Sequence, residues 1–364
     1  VTALLRVLHV VRPAQGGIRQ HVLNLFGHTD RTRFALSLAG PAEFLATLPT
    51  CDLQSAVPLA ISASFSLRHD LVAALRLSRL AYQVDLIHAH GLRAGWVTAL
   101  ASLFRPVPFL ATAHNLIEPN GKAARIGLRL IGHRARRVIA VSQAVATGLS
   151  AAGITPNKIV VIPNGIDLAL FKQIPSQESA RLELSVAPDA FVVGTIARLS
   201  HEKGVDVLFR AAALTPRITY LVAGDGPLRE SLAAAAPPNT RLLGRIDDTR
   251  ILLAAADALA IPSRQEGQGI VALEAMVAGV PVVASRVGGL AEMLTEGRTA
   301  LLVPSDDPTA LAEALRRIQN DSALRHLLTV NAASLVHHKY DLAAMVAAIE
   351  ALYSAVLPEG RRAV

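Results

Sequence analysis

Short runs of Val, Ile and Leu recur along the chain at 4–11, 35–39, 84–88, 109–113 and 138–141, and again at 191–197, 218–223, 258–261, 280–284 and 300–303. The Ala-, Leu- and Arg-rich stretches between them carry helical period. Apolar runs of strand length, bounded by turn residues and separated by helices, predict βαβ units around parallel sheets covered on both faces. About five runs fall in each half, so the pattern predicts an α/β chain of two Rossmann-like, doubly wound domains. The segment 171–190, with Pro175, Ser176, Gln177, Ser179 and Pro188, has linker composition and puts the boundary between a domain 1–175 and a domain 176–339. Ligands of such sheets sit at the carboxyl ends of the strands, which predicts a site in a cleft between two facing domains.

Length agrees: 364 residues suffice for two domains, each with its own core. A hydrophobic fraction of 52% against 18% charged excludes disorder. The one cysteine, Cys51, forms no intrachain disulfide, and no Cys/His cluster has zinc-finger spacing, which favours a reducing compartment, the cytoplasm by default. The first residues look like a strand rather than a signal peptide, and the longest uncharged stretch, 138–157, is too polar for a bilayer helix.

The net charge of +8 is unevenly spread. Residues 1–175 hold 18 Lys and Arg against 7 Asp and Glu, whereas 176–364 hold 18 against 21. A basic first half fits a phosphorylated small molecule, an anionic membrane surface or a nucleic acid, and the sign alone does not choose.

The most informative stretch runs from Pro262 through Glu266, Gly267, Gln268, Gly269, Ile270, Val271 and Glu274 to Gly279. It reads as strand end, glycine loop and helix, with Gly279 stopping the helix and Glu274 nearly two turns inside it. Orphan N–H groups and the helix dipole favour phosphate at such a start, although a helix cap with a surface glutamate has the same pattern. Arg198 and Lys203 follow the first strand of the second half, where a planar fork and a compact charge suit two phosphates. Near the N-terminus, Gly16 and Gly17 open a helix carrying Arg19 and His21. This is not the dinucleotide fingerprint, and no acidic residue ends the second strand, so a nicotinamide cofactor is not expected.

In order along the chain stand Gly-Gly-x-x-x-His at 16–21, Asp-Leu-Ile-His-Ala-His-Gly at 85–91, Thr-Ala-His-Asn at 112–115, Pro-Asn-Gly-Ile-Asp at 163–167, Ala-Arg-Leu-Ser-x-Glu-Lys-Gly at 197–204, Gly-Asp-Gly-Pro at 224–227, and Glu-x7-Glu at 266–274, followed by Ala-Met-x-Ala-Gly-x-Pro-Val-Val. This ordered set, covering almost the whole chain, resembles the retaining nucleotide-sugar glycosyltransferases of family 4, which have the GT-B fold. The resemblance implies that Arg198 and Lys203 grip the donor diphosphate and offset leaving-group charge, an electrostatic role. It implies Glu274 on the ribose hydroxyls, Glu266 on the transferred sugar near its 3-position, and His114 reaching the sugar at the anomeric centre. Gly16 and Gly17 match the loop approaching the diphosphate, with His21 and Arg19 toward the acceptor. Gln268, Gly269, Ile270 and Val271 match the helix start at the donor, Arg245 and Ile246 the turn that meets the base, and Gly226 belongs to the donor side. Gln268 stands where family members often carry an aromatic residue. A helix at 340–364 is implied to return to the first domain.

His88 and His90 are two apart at a strand end, but a third ligand with suitable spacing is missing, which favours a structural role over a metal. No Asp-x-Asp motif is present, in keeping with metal-independent donor binding. Ser142 lacks the glycines of a nucleophile elbow and is expected to be structural. Glu266 and Glu274 are not expected to flank one glycosidic bond, so the glycosidase reading falls away. The resemblance implies front-face attack, with the departing phosphate helping to deprotonate the acceptor.

The run 122–137 interleaves Lys122, Arg125, Arg129, Arg134, Arg136 and Arg137 with Ile126, Leu128, Leu130 and Ile131, and Arg68, Arg76 and Arg79 extend its charge. It suits either an anionic bilayer, with the protein peripheral on the inner face of the plasma membrane, or an ordinary solvated helix. A lipid-linked or saccharide acceptor of cell-envelope or polysaccharide synthesis is expected, and a nucleic acid is not, for want of stacking aromatics. A nucleotide-sugar 2-epimerase and a non-catalytic nucleotide-sugar-binding scaffold remain as alternatives.

Overall fold

The computed structural model describes residues 4–13, 16–46, 53–62, 64–117 and 122–357. Cys51 and the expected end of the last helix at 358–364 lie outside them. The chain forms two compact units, Val1–Gly165 with Ala343–Val364, and Ile166–Leu342.

The first unit is built on seven parallel strands: β1 (Leu5–Val11), β2 (Phe34–Gly40), β3 (Ser55–Pro58), β4 (Leu86–His90), β5 (Phe109–Ala113), β6 (Arg137–Ala140) and β7 (Ile159–Val161). Their order is β3-β2-β1-β4-β5-β6-β7. The second unit holds β8 (Phe191–Ile196), β9 (Ile218–Ala223), β10 (Thr240–Gly244), β11 (Ala258–Ile261), β12 (Val282–Ser285) and β13 (Leu301–Val303), ordered β10-β9-β8-β11-β12-β13. Each sheet reverses direction of winding beside its first strand, between β1 and β4 in one and between β8 and β11 in the other. Those switch points leave a crevice at the carboxyl ends of the strands.

Central strands are buried on both faces, which explains their unbroken apolar runs: β4, β5, β11 and β12 are buried throughout. The three strands that hydrophobic patterning did not predict, β3, β7 and β10, are all edge strands. Each is largely exposed or half-buried, and an edge needs no continuous apolar run.

Residues 166–175, assigned to the first domain by composition, belong to the second unit. Ile166 is buried in its core, and Leu168, Phe171 and Ile174 pack against the same cluster. The polar stretch after Pro175 belongs to that unit too: it opens the Gln177–Glu183 helix, whose Ala180 and Arg181 are buried and whose Arg181 guanidinium donates to Asp257 at 2.7 Å.

The Leu342–Ala355 helix belongs to the first unit. Its Met345, Val346, Ile349 and Tyr353 are buried. The Tyr353 hydroxyl meets His88 Nδ1 at 2.7 Å, and Glu350 accepts the Asp30 N–H at 2.8 Å.

Candidate functional site

In the second unit the predicted cations and carboxylates converge on the β8/β11 switch point. Thr195 Oγ1 donates to Ala260 O at 2.9 Å, tying β8 to β11. Beyond β8, Arg198 is exposed, and a 3₁₀ turn at His201–Lys203 leads to Gly204 and the Val205–Leu214 helix. A Cβ on Gly204 would stand 2.0 Å from the Pro262 carbonyl oxygen, so only glycine lets the two loops come this close.

The loop after β11 is held to that turn by its backbone. Arg264 and Gln265 N–H groups donate to Glu202 O at 2.8 and 3.2 Å. The Arg264 guanidinium donates to both Asp206 oxygens at 2.8 and 2.7 Å, to Asp306 at 2.7 Å and to His201 O at 2.8 Å. This fork holds the Asp206 carboxyl below its ordinary range. Arg264 stood unremarked inside the motif, because its carboxylate partners are remote in sequence.

So fixed, the loop presents Glu266 to Lys203. Nζ lies 2.6 Å from Oε2, and Ser263 Oγ donates to the same oxygen at 3.3 Å. Gln268 is buried, and Gly269, with φ 91°, begins the Ile270–Val277 helix. Ile270 and Val271 are half-buried at that start. Gly226 packs behind the Arg198 loop, where Leu199 exchanges backbone hydrogen bonds with Asp225 and Leu228 at 2.9 and 3.0 Å.

Because the helix starts at Ile270, Glu274 stands only at its second turn, not nearly two turns inside. Burial pushes its carboxyl up to about 7; a hydrogen bond from Thr249 opposes this shift and the charge of Asp248 adds to it. Thr249 and Asp248 follow the Gly244-Arg245-Ile246 turn after β10, so the structure joins Glu274 to that turn. Ile246 packs against the core, while Arg245 is exposed, 3.9 Å from Asp247.

The first unit gathers histidines at its own switch point. His9 of β1 pairs in register with His88 of β4, His90 follows on the same face, and His114 lies just beyond β5. Gly16 caps the Gly17–His28 helix, which carries half-buried Arg19 and brings His21 inward. His21, expected toward an acceptor, is 2% exposed and bonded through Nδ1 to Asn164 Oδ1 at 2.8 Å. Its ring stands edge-on to His114, centroids 4.8 Å apart. Asn164 is thus the inward-facing member of the Pro-Asn-Gly-Ile-Asp motif, a role hidden by a separation of 143 residues. Burial lowers the His9 ring to about 3 and the His21 ring to about 4, and holds His88, His90 and His114 well below the usual range.

The third ligand missing from the spacing of His88 and His90 is therefore supplied by tertiary structure. His9, His88 and His90 form one group with ligand atoms within 4.8 Å, and His21, His90 and His114 form another. His88 itself is committed at both nitrogens, to Tyr353 and to Thr112 Oγ1, each at 2.7 Å. Ser142 caps the Gln143–Ala151 helix by accepting the Val145 N–H at 3.2 Å.

The basic run divides. Leu128 and Ile131 of the Lys122–Arg134 helix are buried in the core, Arg134 binds Ser102, and of the four apolar residues only Ile126 is exposed, beside exposed Arg125 and Arg129; the Lys122 side chain lies outside the described residues. The Leu67–Leu80 helix instead exposes Leu67, Leu71, Val72 and Leu75 beside Arg68, Arg76 and Arg79. Among the described residues no helix is long and apolar enough to cross a membrane.

Two family models match this chain: Glycosyltransferase Family 4 over residues 15–170 and Glycosyl transferases group 1 over 190–321. A D-inositol 3-phosphate glycosyltransferase of Actinosynnema mirum is 37% identical over 286 residues, covering 68% of this chain and 67% of that protein. Its Salinispora arenicola counterpart is 33% identical, covering 70% and 65%. The matched region thus spans about two thirds of these relatives' length. Among solved structures, Anabaena HepE in complex with UDP-glucose superposes with a TM-score of 0.85 at 26% identity, over 96% of this chain and 100% of that one. Sucrose-phosphate synthase of Thermosynechococcus elongatus shares the fold, with a TM-score of 0.79 at 22% identity over 96% and 98%.

Proposed function

As the chain belongs to glycosyltransferase family 4 and has the GT-B fold, we propose that it moves a hexosyl unit from a uridine-diphosphate sugar to a hydroxyl of an anionic acceptor, retaining the anomeric configuration. The observation that carries this reading is the Lys203–Glu266 pair beside exposed Arg198 at the second switch point. Before donor binds, Lys203 and Glu266 balance each other. An incoming diphosphate recruits the ammonium and the guanidinium, which stabilise charge on the leaving phosphate, and releases Glu266 to accept a sugar hydroxyl. The bond from the anomeric carbon to phosphate oxygen breaks as the acceptor oxygen bonds on the same face, and the acceptor proton passes to the departing phosphate. Glu274 receives the ribose hydroxyls near the Arg245-Ile246 turn, Gln268 through Val271 and Gly226 line the donor side, and Gly16 and Gly17 approach the diphosphate. His114 is assigned to the sugar, and Arg19 and His21 to the acceptor side, from the family resemblance.

Uridine is supported by the HepE complexes, which contain UDP and UDP-glucose. An anionic acceptor is supported by the basic first half and by the relatives' named substrate, D-inositol 3-phosphate. The exposed apolar and basic face of Leu67–Leu80 favours a second acceptor of the same charge, a lipid-linked or saccharide acceptor in cell-envelope synthesis.

Thermal shifts with UDP, GDP and ADP, with and without EDTA, test the donor assignment. UDP at 100 times its Kd adds about 2.7 kcal/mol of stability, and the expected shift is UDP-selective and EDTA-insensitive. No shift with any of the three overturns the proposal. Product analysis with D-inositol 3-phosphate and a polyprenyl-phosphate saccharide then separates the acceptors.

A further inference from the structure

The end of the first sheet away from its carboxyl-end crevice carries charge that the proposed transfer does not use. A cavity of about 290 Å³ opens there, with Pro106, Val107 and Pro108 along one wall and His133, Arg134 and Arg136 along the other. It lies between the last turns of the Leu92–Phe104 and Lys122–Arg134 helices, beside the amino ends of β5 and β6. The Ile87 N–H donates to Pro108 O at 3.1 Å and the Arg136 N–H to Phe109 O at 2.9 Å, so both walls are tied to the sheet. The length of β5, roughly 16 Å at ~3.3 Å per residue, separates the cavity from His114.

The basic wall is held from behind and stays open in front. Arg134 Nε donates to Ser102 Oγ at 3.0 Å and Nη2 to Ser102 O, which fixes the guanidinium plane and leaves Nη1 without a partner among the described residues. Lys158 Nζ donates to Gly132 O, His133 O and Ala135 O at 2.8, 2.9 and 3.1 Å, locking the turn from which His133 and Arg136 project. Both side chains are exposed. From 86 to 166 the sequence holds nine Lys and Arg against one carboxylate, Glu118. Among the described residues none of Arg134, Arg136, Arg137 and Lys158 is in an ion pair, and Asp85, at this end of the sheet, is taken by Arg6 at 3.0 Å. Burial and then the charges of Arg136 and Arg137 push the Lys158 ammonium below its ordinary value, as happens where cations crowd without a counter-charge.

We propose that this cavity binds a phosphate monoester, with Arg134 and Arg136 as charge-assisted donors and His133 at the rim. Guanidinium forks match the oxygens of a phosphate, and prolines, with fixed φ and no N–H, make a stiff apolar wall for the carbon part of the ester. A volume at the small end of ligand pockets, ~300–1,000 Å³, fits a short ester rather than a nucleotide. Leu103 and Phe104, 55% and 51% exposed, end the helix beside the cavity. The same phosphate chemistry therefore has two sources, a phosphatidic acid headgroup and a soluble phosphomonoester. The site takes no residue from the transfer machinery.

Titration calorimetry of the full chain with sn-glycerol 3-phosphate at low salt tests the proposal. Saturable binding is expected, with glycerol giving none, and the exposed-site variant His133→Ala/Arg136→Ala should bind about 10–100-fold more weakly. Arg198→Ala/Lys203→Ala, which removes the cations of the proposed donor site, should bind glycerol 3-phosphate as wild type does. Vesicles separate the sources: wild type, but not the His133/Arg136 variant, should prefer phosphatidic acid to phosphatidylserine vesicles of equal charge if the phosphate is a headgroup's, and show no preference if it is soluble. The proposal is overturned if wild type at millimolar glycerol 3-phosphate binds none and also shows no phosphatidic acid preference, if the His133/Arg136 variant behaves as wild type does, or if the Arg198/Lys203 variant loses the binding.

Discussion

At 2.6 Å, with side chains 25% and 13% exposed, Lys203 and Glu266 neutralise each other while staying within reach of solvent. Such a pair adds little net stability, because desolvation offsets much of its attraction. Its use is to keep both groups in place until a ligand takes one of them. Lys203→Ala should leave the fold intact and lower kcat by about 10²–10³-fold, the loss seen when one transition-state donor is removed; wild-type turnover in the variant would sink the assignment. Glu274 supplies a pH signature. Its folded carboxyl titrates near 7, above the ordinary 4.5, so between those values the native state holds a proton that the unfolded chain has lost. Its stabilising contribution is whole below 4.5 and disappears as pH rises through 7. Ribose hydroxyls donate to the charged form, so UDP affinity should rise from pH 6 to 8, and Glu274→Gln should flatten both slopes. Calorimetric titrations at three pH values check this; equal slopes in wild type and variant would refute it.

Among elements, the Ile270–Val277 helix shows how a site is aimed by its first residue. Gly269 is left-handed, and a Cβ there would lie 2.6 Å from Leu290 Cδ2, whereas Gly279 at the other end, φ 73°, has open space around it. Both alanine substitutions bear the ~1–2 kcal/mol cost of left-handed backbone, but only Gly269→Ala adds a clash. We expect it to be the more destabilising of the two in urea denaturation and to weaken UDP binding, with Gly279→Ala leaving affinity unchanged. Equal losses would show that the packing against Leu290 does not set the helix start. The same helix was legible in the sequence because glycine, a short apolar run and a second glycine mark its ends. Edge strands β3, β7 and β10 were not, since an edge needs no apolar run on both faces.

For the molecule as a whole, charge and apolar exposure coincide on one helix of the basic unit. Leu67, Leu71, Val72 and Leu75 are exposed beside Arg68, Arg76 and Arg79, whereas the run at 122–137 spends its apolar side on the core. Each cation near an anionic bilayer contributes about 1 kcal/mol. The protein should sediment with phosphatidylserine vesicles at low salt, and the Arg68/Arg76/Arg79→Ala variant should bind roughly 100-fold more weakly. Failure of wild type to sediment would remove the membrane from the acceptor hypothesis.

The sequence by itself determined the α/β class, the existence of two units and the placing of Arg198, Lys203 and Glu266 just after strands of the second one. Those features rest on short-range patterns: apolar runs of strand length, glycines at helix ends, and charges placed just after a strand. Only tertiary structure decided which unit owns Ile166, that Arg264 clamps Asp206 and Asp306, that Asn164 holds His21, and that five histidines share one switch point. These are contacts between residues far apart in the chain, set by the register of parallel strands, and no local spacing encodes them. His88 and His90 lacked a third partner along the sequence because it arrives from β1, the neighbouring strand in the sheet.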